Sequence, residues 1–188
     1  MEQIISYLKQ FKDIQKEEID FFISKMEVVH FPKKTIILPI GKTEKYLSFI
    51  EKGIVRFYIP KEENDITFVF AFEGWFMSAY ESFIQNKPSE YSVETLADTT
   101  LWRISKEDLE EIYEQTDIGN KIGRDASEQL FLIKSKRELS LLKETAEERY
   151  LNLLNSNPRL IQQIPLKYLA SYIGITPQAL SRIRKRIS

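Results

Sequence analysis

Residues 164–187 read IPLKYLASYIGITPQALSRIRKRI, and the reading of this stretch decides the fold. Ile164-Pro165 opens a helix with proline at a tolerated first-turn position, and Gly174 interrupts it. Thr176-Pro177 then opens a second helix with an N-cap followed by proline at N1. The pattern predicts two short helices joined by a turn of Gly174, Ile175 and Thr176. Leu169, Ile173, Ile175, Leu180 and Ile183 can close a small shared core, and Ala170 is small where the helices would cross. Gly174 can supply the positive φ that the turn needs. On the second helix Gln178, Ser181, Arg182 and Lys185 fall at offsets of three, four and seven, so they share one face.

Charge singles out the same end of the chain. The last acidic residue is Glu148, and the residues after it carry seven bases: Arg149, Arg159, Lys167, Arg182, Arg184, Lys185 and Arg186. With 27 bases in all, 20 remain against 28 acids in residues 1–148, so an acidic body at −8 carries a basic end at +7. Such asymmetry points to a polyanion at that end alone. The spacing of small residue, turn glycine four later and flanking apolar positions closely resembles the helix-turn-helix family of DNA readers. On that pattern Gln178 can pair with adenine and Arg182 with guanine, while Ser181 shares their face and Thr176, Lys185 and Arg186 suit phosphates. The competing reading is a solvated basic helix with no ligand.

The chain has 188 residues, 43% hydrophobic and 29% charged, which suits one or two compact domains. Zero cysteines exclude disulfides, thiol nucleophiles, zinc ribbons and thiolate-held clusters. No apolar run approaches the roughly 18 residues of a membrane span, and Met1 to Gln10 lacks the order of a signal peptide, so a cytoplasmic protein without membrane contact is expected. From Val28 to Ile104 short β-branched and aromatic runs follow one another: Val28 to Phe31, Thr35 to Leu38, Tyr46 to Ile50, Ile54 to Ile59, Ile66 to Phe72, Ser92 to Leu96 and Thr100 to Ile104. Pro39, Gly41, Gly53, Pro60, Gly74 and Pro88 punctuate them at the spacing of an antiparallel β-roll.

Helical periodicity flanks this region. Two short helices are expected within residues 1–25, from Ile4, Leu8 and Phe11 and then Ile19, Phe22 and Ile23. Ser105 is a good N-cap with Asp108 at the third helical position. Ile118, Ile122, Ala126, Leu130 and Ile133 form a stripe on a long helix from about Asp117 to Lys143. Packing within its own domain competes with a dimer seam there; the seam is preferred, with Ile122, Ala126, Leu130, Ile133 and Arg137 in the interface. Thr145-Ala-Glu-Glu148 is a capping box, so a hinge is expected near Leu142 to Thr145 and a new helix at Ala146. The division that follows is a roll over 1–116, a dimerising helix and hinge over 117–144, and a reading head over 145–188.

A β-roll, a long helix, a capped hinge helix and this head, in that order, resemble the Crp/Fnr family of the cyclic-AMP receptor protein over essentially the whole chain. Gly41 and Gly53 around Tyr46-Leu-Ser-Phe-Ile50, Gly74 before Phe76, and Leu180-Ser181-Arg182-Ile183 carry the likeness. It implies an α+β fold and a homodimeric regulator of a pseudo-palindromic operator. Its partners would be double-stranded DNA, a second copy and RNA polymerase, with no cofactor. The resemblance also fails in two places. The family's nucleotide cassette, laid without a gap on Phe76 to Val93, puts Ser78-Ala79-Tyr80 at the ribose-binding Gly-Glu-Leu and Ser89-Glu90 at the phosphate-binding Arg-Ser. Both charged anchors are missing, and Glu90 would set a carboxylate where phosphate sits, so a degenerate pocket without response to cyclic AMP is expected. The sequence also ends two residues after Arg186, where the family continues into wing strands, so a reduced wing is expected.

Other classes fare worse. Gly41-Lys42-Thr43 evokes a P-loop, but the glycine required five places earlier is Ile36, and Pro39 interrupts the approach. His30, the sole histidine, reads as structural and cannot make a metal site alone. Glu62, Glu63 and Asp65 read as a solvated hairpin turn, and Trp75 and Trp102 as core. No enzyme is expected. Two alternatives remain within binding proteins: a sensor with an unknown non-nucleotide effector in the roll, for which the aromatic segment Phe70 to Phe83 is suited, and an adaptor whose roll binds protein.

Overall fold

The computed structural model describes residues 2–11, 14–156 and 158–187. Helices α1 (Glu2–Leu8) and α2 (Lys16–Ser24) come first, each burying the apolar positions that its periodicity singles out: Ile4 and Leu8, then Ile19 and Phe22. The β-branched runs become strands β1 (Glu27–Phe31), β2 (Ile36–Leu38), β3 (Tyr46–Lys52), β4 (Ile54–Ile59) and β5 (Ile66–Phe72). They continue as β6 (Phe76–Met77), β7 (Ser92–Thr95) and β8 (Thr99–Ser105). These form two four-stranded sheets, ordered β1-β8-β3-β6 and β2-β7-β4-β5. Antiparallel registers such as Phe49↔Trp102 and Ser48↔Met77 fix the first sheet, so the expected α+β roll is present.

Helix α3 (Tyr80–Gln85) and the two-residue β6 lie where the sequence pattern names no element. Neither has a periodic signal. Strand β6 is too short to alternate, and the N-cap of α3, Ala79, has no side-chain acceptor, while its C-cap Asn86 is left-handed at φ 53°. After the roll, α4 (Lys106–Gln115) starts at Ser105, whose hydroxyl accepts from Asp108 N at 3.1 Å as the sequence predicts. The long helix is α5 (Asp117–Lys143), 27 residues. It is followed by α6 (Ala146–Ser156), α7 (Pro158–Gln163), α8 (Leu166–Ile173) and α9 (Pro177–Ile187), of which α7 is additional to the expected set.

By contact the described residues divide into two compact units. One takes Met1–Phe57 and Phe70–Gln129; the other takes Tyr58–Val69 and Leu130–Ser188. The core of the first joins α1, α2, α4 and the start of α5 to the roll through Ile4, Phe22, Phe49, Ile104, Ile112 and Ile122, all at most 2% exposed. Gly53, between β3 and β4, has φ +114°, and a Cβ there would lie 2.4 Å from Thr99 Oγ1 and 2.9 Å from Thr99 Cα. Backbone strain and overpacking then act together, so Gly53→Ala is expected to destabilise the fold by about 2 to 4 kcal/mol, read as a lower denaturant midpoint with an unchanged slope.

Candidate nucleic-acid interface

Helices α8 and α9 are joined by the three residues that the sequence assigns to the turn. Gly174 takes φ 88°, and the amides of Gly174 and Ile175 both donate to Ala170 O, at 2.9 and 3.0 Å. This closes α8 with a left-handed cap that a β-carbon would disfavour. Leu169, Ala170, Ile173, Leu180 and Ile183 are buried, whereas Ile175 is only partly so. Thr176 Oγ1 accepts from Ala179 N at 3.2 Å, which makes it the N-cap of α9. With its apolar residues facing α8, α9 leaves Gln178, Ser181, Arg182, Lys185 and Arg186 exposed. Five residues expected to read or hold DNA therefore lie on one solvent-facing side with Thr176 at its start. Arg186 is also held by an ion pair to Glu147 on α6, a tie that lies just before the acid-free segment and that the charge tally did not register.

Two features of this unit escape the sequence pattern. The tip between β4 and β5, expected to be a solvated turn, is exposed over 61–64 but docks beyond it: Ser171 Oγ on α8 donates to Asp65 O at 2.5 Å and accepts from Thr67 N at 2.8 Å. Arg137 on α5 donates to Tyr172 O and lies over the Tyr172 ring, 4.0 Å from its centroid. The capping box, by contrast, forms as read, with Thr145 N donating to Glu148 Oε2 at 2.7 Å and Glu148 N donating to Thr145 Oγ1 at 3.2 Å. The bonds from Thr145's backbone amide and hydroxyl hold the Glu148 carboxyl below its usual range. A depressed folded value means that this contribution is present above the unfolded carboxylate pKa, about 4.3, and fades as pH falls through the folded value. The stability difference between wild type and Glu148→Gln is therefore expected to be constant from about pH 5.5 to 7 and to shrink below about pH 4, measured as denaturant midpoints across pH.

On α5 the expected seam residues separate. Ile122 is 2% exposed in the core of its own unit, Arg137 is turned to Tyr172, and Ala126 and Leu130 are half-buried, so only Ile133 of the five stands exposed, at 41%. The stripe read from Ile118 onward is thus not one free face, because its first turns are spent on intrachain packing. Another stripe is open: Leu132, Leu139 and Leu142 are 58%, 47% and 76% exposed, with Phe131 beside them at 70%. Leu132, Ser135, Leu139 and Leu142 recur at three, four and three residues, the spacing of a coiled-coil seam. That spacing is visible in the sequence, but the more regular isoleucine pattern upstream masks it.

In the roll, the residues laid on the nucleotide cassette serve the chain itself. Ala79 is fully buried with no polar side-chain atom, and Ser78 Oγ donates to Tyr46 O at 2.9 Å. Ser89 is buried, its hydroxyl donating to Tyr91 O at 2.8 Å and its backbone bonded to Gly41 and Lys42. Glu90 is exposed, so the carboxylate expected in a partly dry pocket faces water, where its repulsion is screened. A buried cation that the sequence reading missed is Arg56, 2% exposed, which pairs through Nε with Glu94 Oε1 at 2.6 Å, on the residue that follows the cassette. Burial, with Glu81 and Glu44 nearby, pushes the Tyr91 phenol up to about 12. Trp102 is buried as expected, but Trp75 is 38% exposed, packed edge-on to Phe72. His30 bonds Thr100 Oγ1 at 3.0 Å on the surface. Among the described residues no three acids or histidines are grouped to hold a metal ion, and no helix is long and apolar enough to cross a membrane.

Residues 28–116 match the Cyclic nucleotide-binding domain family, which covers the strands β2 to β8 and helices α3 and α4. The roll has the fold of that domain class. The chain as a whole has the fold of Crp/Fnr-type regulators. It is similar to the c-di-GMP responsive global regulator CLP of Xanthomonas campestris, at 18% identity over 92% of this chain and 91% of that one with a TM-score of 0.73. FixK2 of Bradyrhizobium japonicum gives 17% identity over 86% and 84% with a TM-score of 0.73. The catabolite activator protein of Thermus thermophilus gives 20% over 94% and 85% with a TM-score of 0.58. No curated protein matches the chain by sequence.

Proposed function

We propose that this protein is a homodimeric, sequence-specific DNA-binding transcription regulator of the Crp/Fnr type, acting in the cytoplasm. The observation that carries the reading is the exposed face of α9, where Gln178, Ser181, Arg182 and Lys185 project from the second helix of a compact two-helix head. A helix with hydrogen-bonding side chains on one face and apolar residues on the other suits insertion into a major groove. Gln178 and Arg182 read base edges. Thr176, Lys185 and Arg186 position the backbone, Arg186 exchanging Glu147 for phosphate. Residues 1–116 form the roll, 117–144 the dimerising helix and hinge, and 145–188 the reading head. Two copies pair through Leu132, Ser135, Leu139 and Leu142 of α5 with Phe131 at the edge, a seam displaced from Ile122 and Arg137 because those two are engaged within the chain. Random-sequence selection with the purified protein tests this; enrichment of a two-fold symmetric site is the expected result, and binding without sequence preference would contradict it.

The roll matches the cyclic nucleotide-binding domain family, yet cyclic AMP and cyclic GMP are not its effectors in this reading. Ala79 offers no acceptor to a ribose, and Ser89 offers no charge to a phosphate and has its hydroxyl engaged by Tyr91. Loss of one charge-assisted phosphate contact removes about 1.5 to 3 kcal/mol, which moves a micromolar site toward millimolar even without the repulsion first assigned to Glu90. Calorimetry with either nucleotide at about 1 mM is expected to show no saturable heat, and a one-to-one micromolar isotherm would contradict the assignment.

A further inference from the structure

We propose that Arg137 and Arg149 are positioning residues: by gripping the C-terminal carbonyls of α8 together they set the angle of the reading head on the long helix, and through it the half-site spacing that the dimer accepts. The second clause rests on the function proposed above; the first does not.

The last carbonyls of any helix lack intrahelical donors and carry the negative end of its dipole. In α8 two consecutive ones are taken by guanidinium groups from two other helices. Arg137, from α5, donates to Tyr172 O and lies over the ring of the same residue, 4.0 Å from its centroid. Arg149, from α6, donates through Nε to Ile173 O at 2.8 Å and through Nη1 to Glu144 O at 2.5 Å, in the hinge between α5 and α6. One point therefore ties the end of α5, the hinge, the start of α6 and the end of α8. The next residue is Gly174, whose left-handed turn launches α9. The three hydrogen bonds of the two arginines all end on carbonyl oxygens, the Tyr172 ring is a fourth contact, and among the described residues no carboxylate takes part. Burial, followed by the charge of Arg149, holds Arg137 below the usual guanidinium range, offset in part by Tyr172.

Such a grip costs desolvation of two like charges, and a stable fold alone does not require it, since apolar residues could fill the same space. It supplies direction instead. A planar fork that both stacks and donates fixes an angle, whereas an ammonium on a flexible stem fixes only a distance. Because α5 carries the seam and α9 the reading face, the angle between them sets how far apart two reading faces stand.

The chain has no cysteine, so a pair of spin labels at Glu138→Cys on α5 and Lys167→Cys on α8, both exposed, reports the angle without interference. With labelled chains diluted into an excess of unlabelled ones, so that only the distance within a chain is read, pulsed electron resonance on the 188-residue protein is expected to give one narrow distance in the wild-type background. In Arg137→Gln/Arg149→Gln it should give a broadened or split distribution. In parallel, operators with spacers one base pair longer or shorter should be discriminated roughly tenfold by the unlabelled wild type and less than about threefold by the variant, with the half-site sequence unchanged. A narrow distance kept in the variant overturns the grip. A broadened distance with intact spacer discrimination overturns its role in spacing. Wild-type protein that ignores DNA sequence defeats the proposed function and leaves the label experiment to decide the grip. If the double glutamine variant does not fold, Arg137→Lys and Arg149→Lys take its place: they keep charge and most packing, so a distribution as narrow as wild type in both would overturn the proposal.

Discussion

Replacing Leu139 and Leu142 together by glutamate is expected to convert the protein from a dimer into a monomer. Both side chains are exposed on a single chain, at 47% and 76%, and lie on the same side of α5 as Leu132. A leucine moved from water into a packed seam contributes about 2 kcal/mol, and a two-fold axis counts each substitution twice. Losing about 8 kcal/mol raises a dissociation constant by roughly five to six orders of magnitude, beyond rescue by micromolar concentration. Sedimentation should then show wild type at twice the 22.2 kDa of the chain and the variant at 22.2 kDa. DNA affinity should fall with it, because two linked heads bind far more tightly than one. Ile122→Glu makes a useful contrast: with Ile122 in the core of its own unit, that change should unfold the chain before it dissociates it.

The second large effect belongs to Arg182. On the proposed base-reading role, Arg182→Ala should cost about 1 to 3 kcal/mol on the preferred operator and relax one position in each half-site. Lys185→Ala should weaken binding to all sequences and flatten the dependence of affinity on salt by roughly one unit of slope. Competition titrations against random DNA at two salt concentrations separate the two. Equal losses for Arg182→Ala on specific and random DNA would make it a phosphate contact only.

The sequence is most legible where structure follows from local chemistry. Thr145 and Glu148 find each other because they stand three residues apart at a helix start, and Ser105 caps α4 for the same reason. Gly174 takes the left-handed turn that nothing with a β-carbon would favour there. The β-branched runs became strands because their alternation matches a half-buried sheet. What the sequence hides is long-range. Arg56 meets Glu94 across strands 38 residues apart, and Ser171 meets the hairpin at Asp65 from 106 residues away; neither spacing has a local signature. Arg137 looked like one more charge at the edge of a dimer seam, and only the return of α8 beside it shows that it faces its own chain. The burial of Ile122, expected in a dimer seam, has a related cause. Ile118 and Ile122 are apolar because they close the core beneath α5, and a periodic stripe does not say which of two partners it buries against.

Selection of bound sequences from random double-stranded DNA by the 188-residue protein is the decisive measurement for DNA reading. The expected result is a two-fold symmetric site whose half-sites have centres about 34 Å apart, one helical turn, with guanine or adenine at the positions assigned to Arg182 and Gln178. Repeating it with Arg182→Ala should lose the preference at one position per half-site and keep the symmetry. Recovery of unenriched sequence, or of a single asymmetric site, would rule out a dimeric sequence-specific reader.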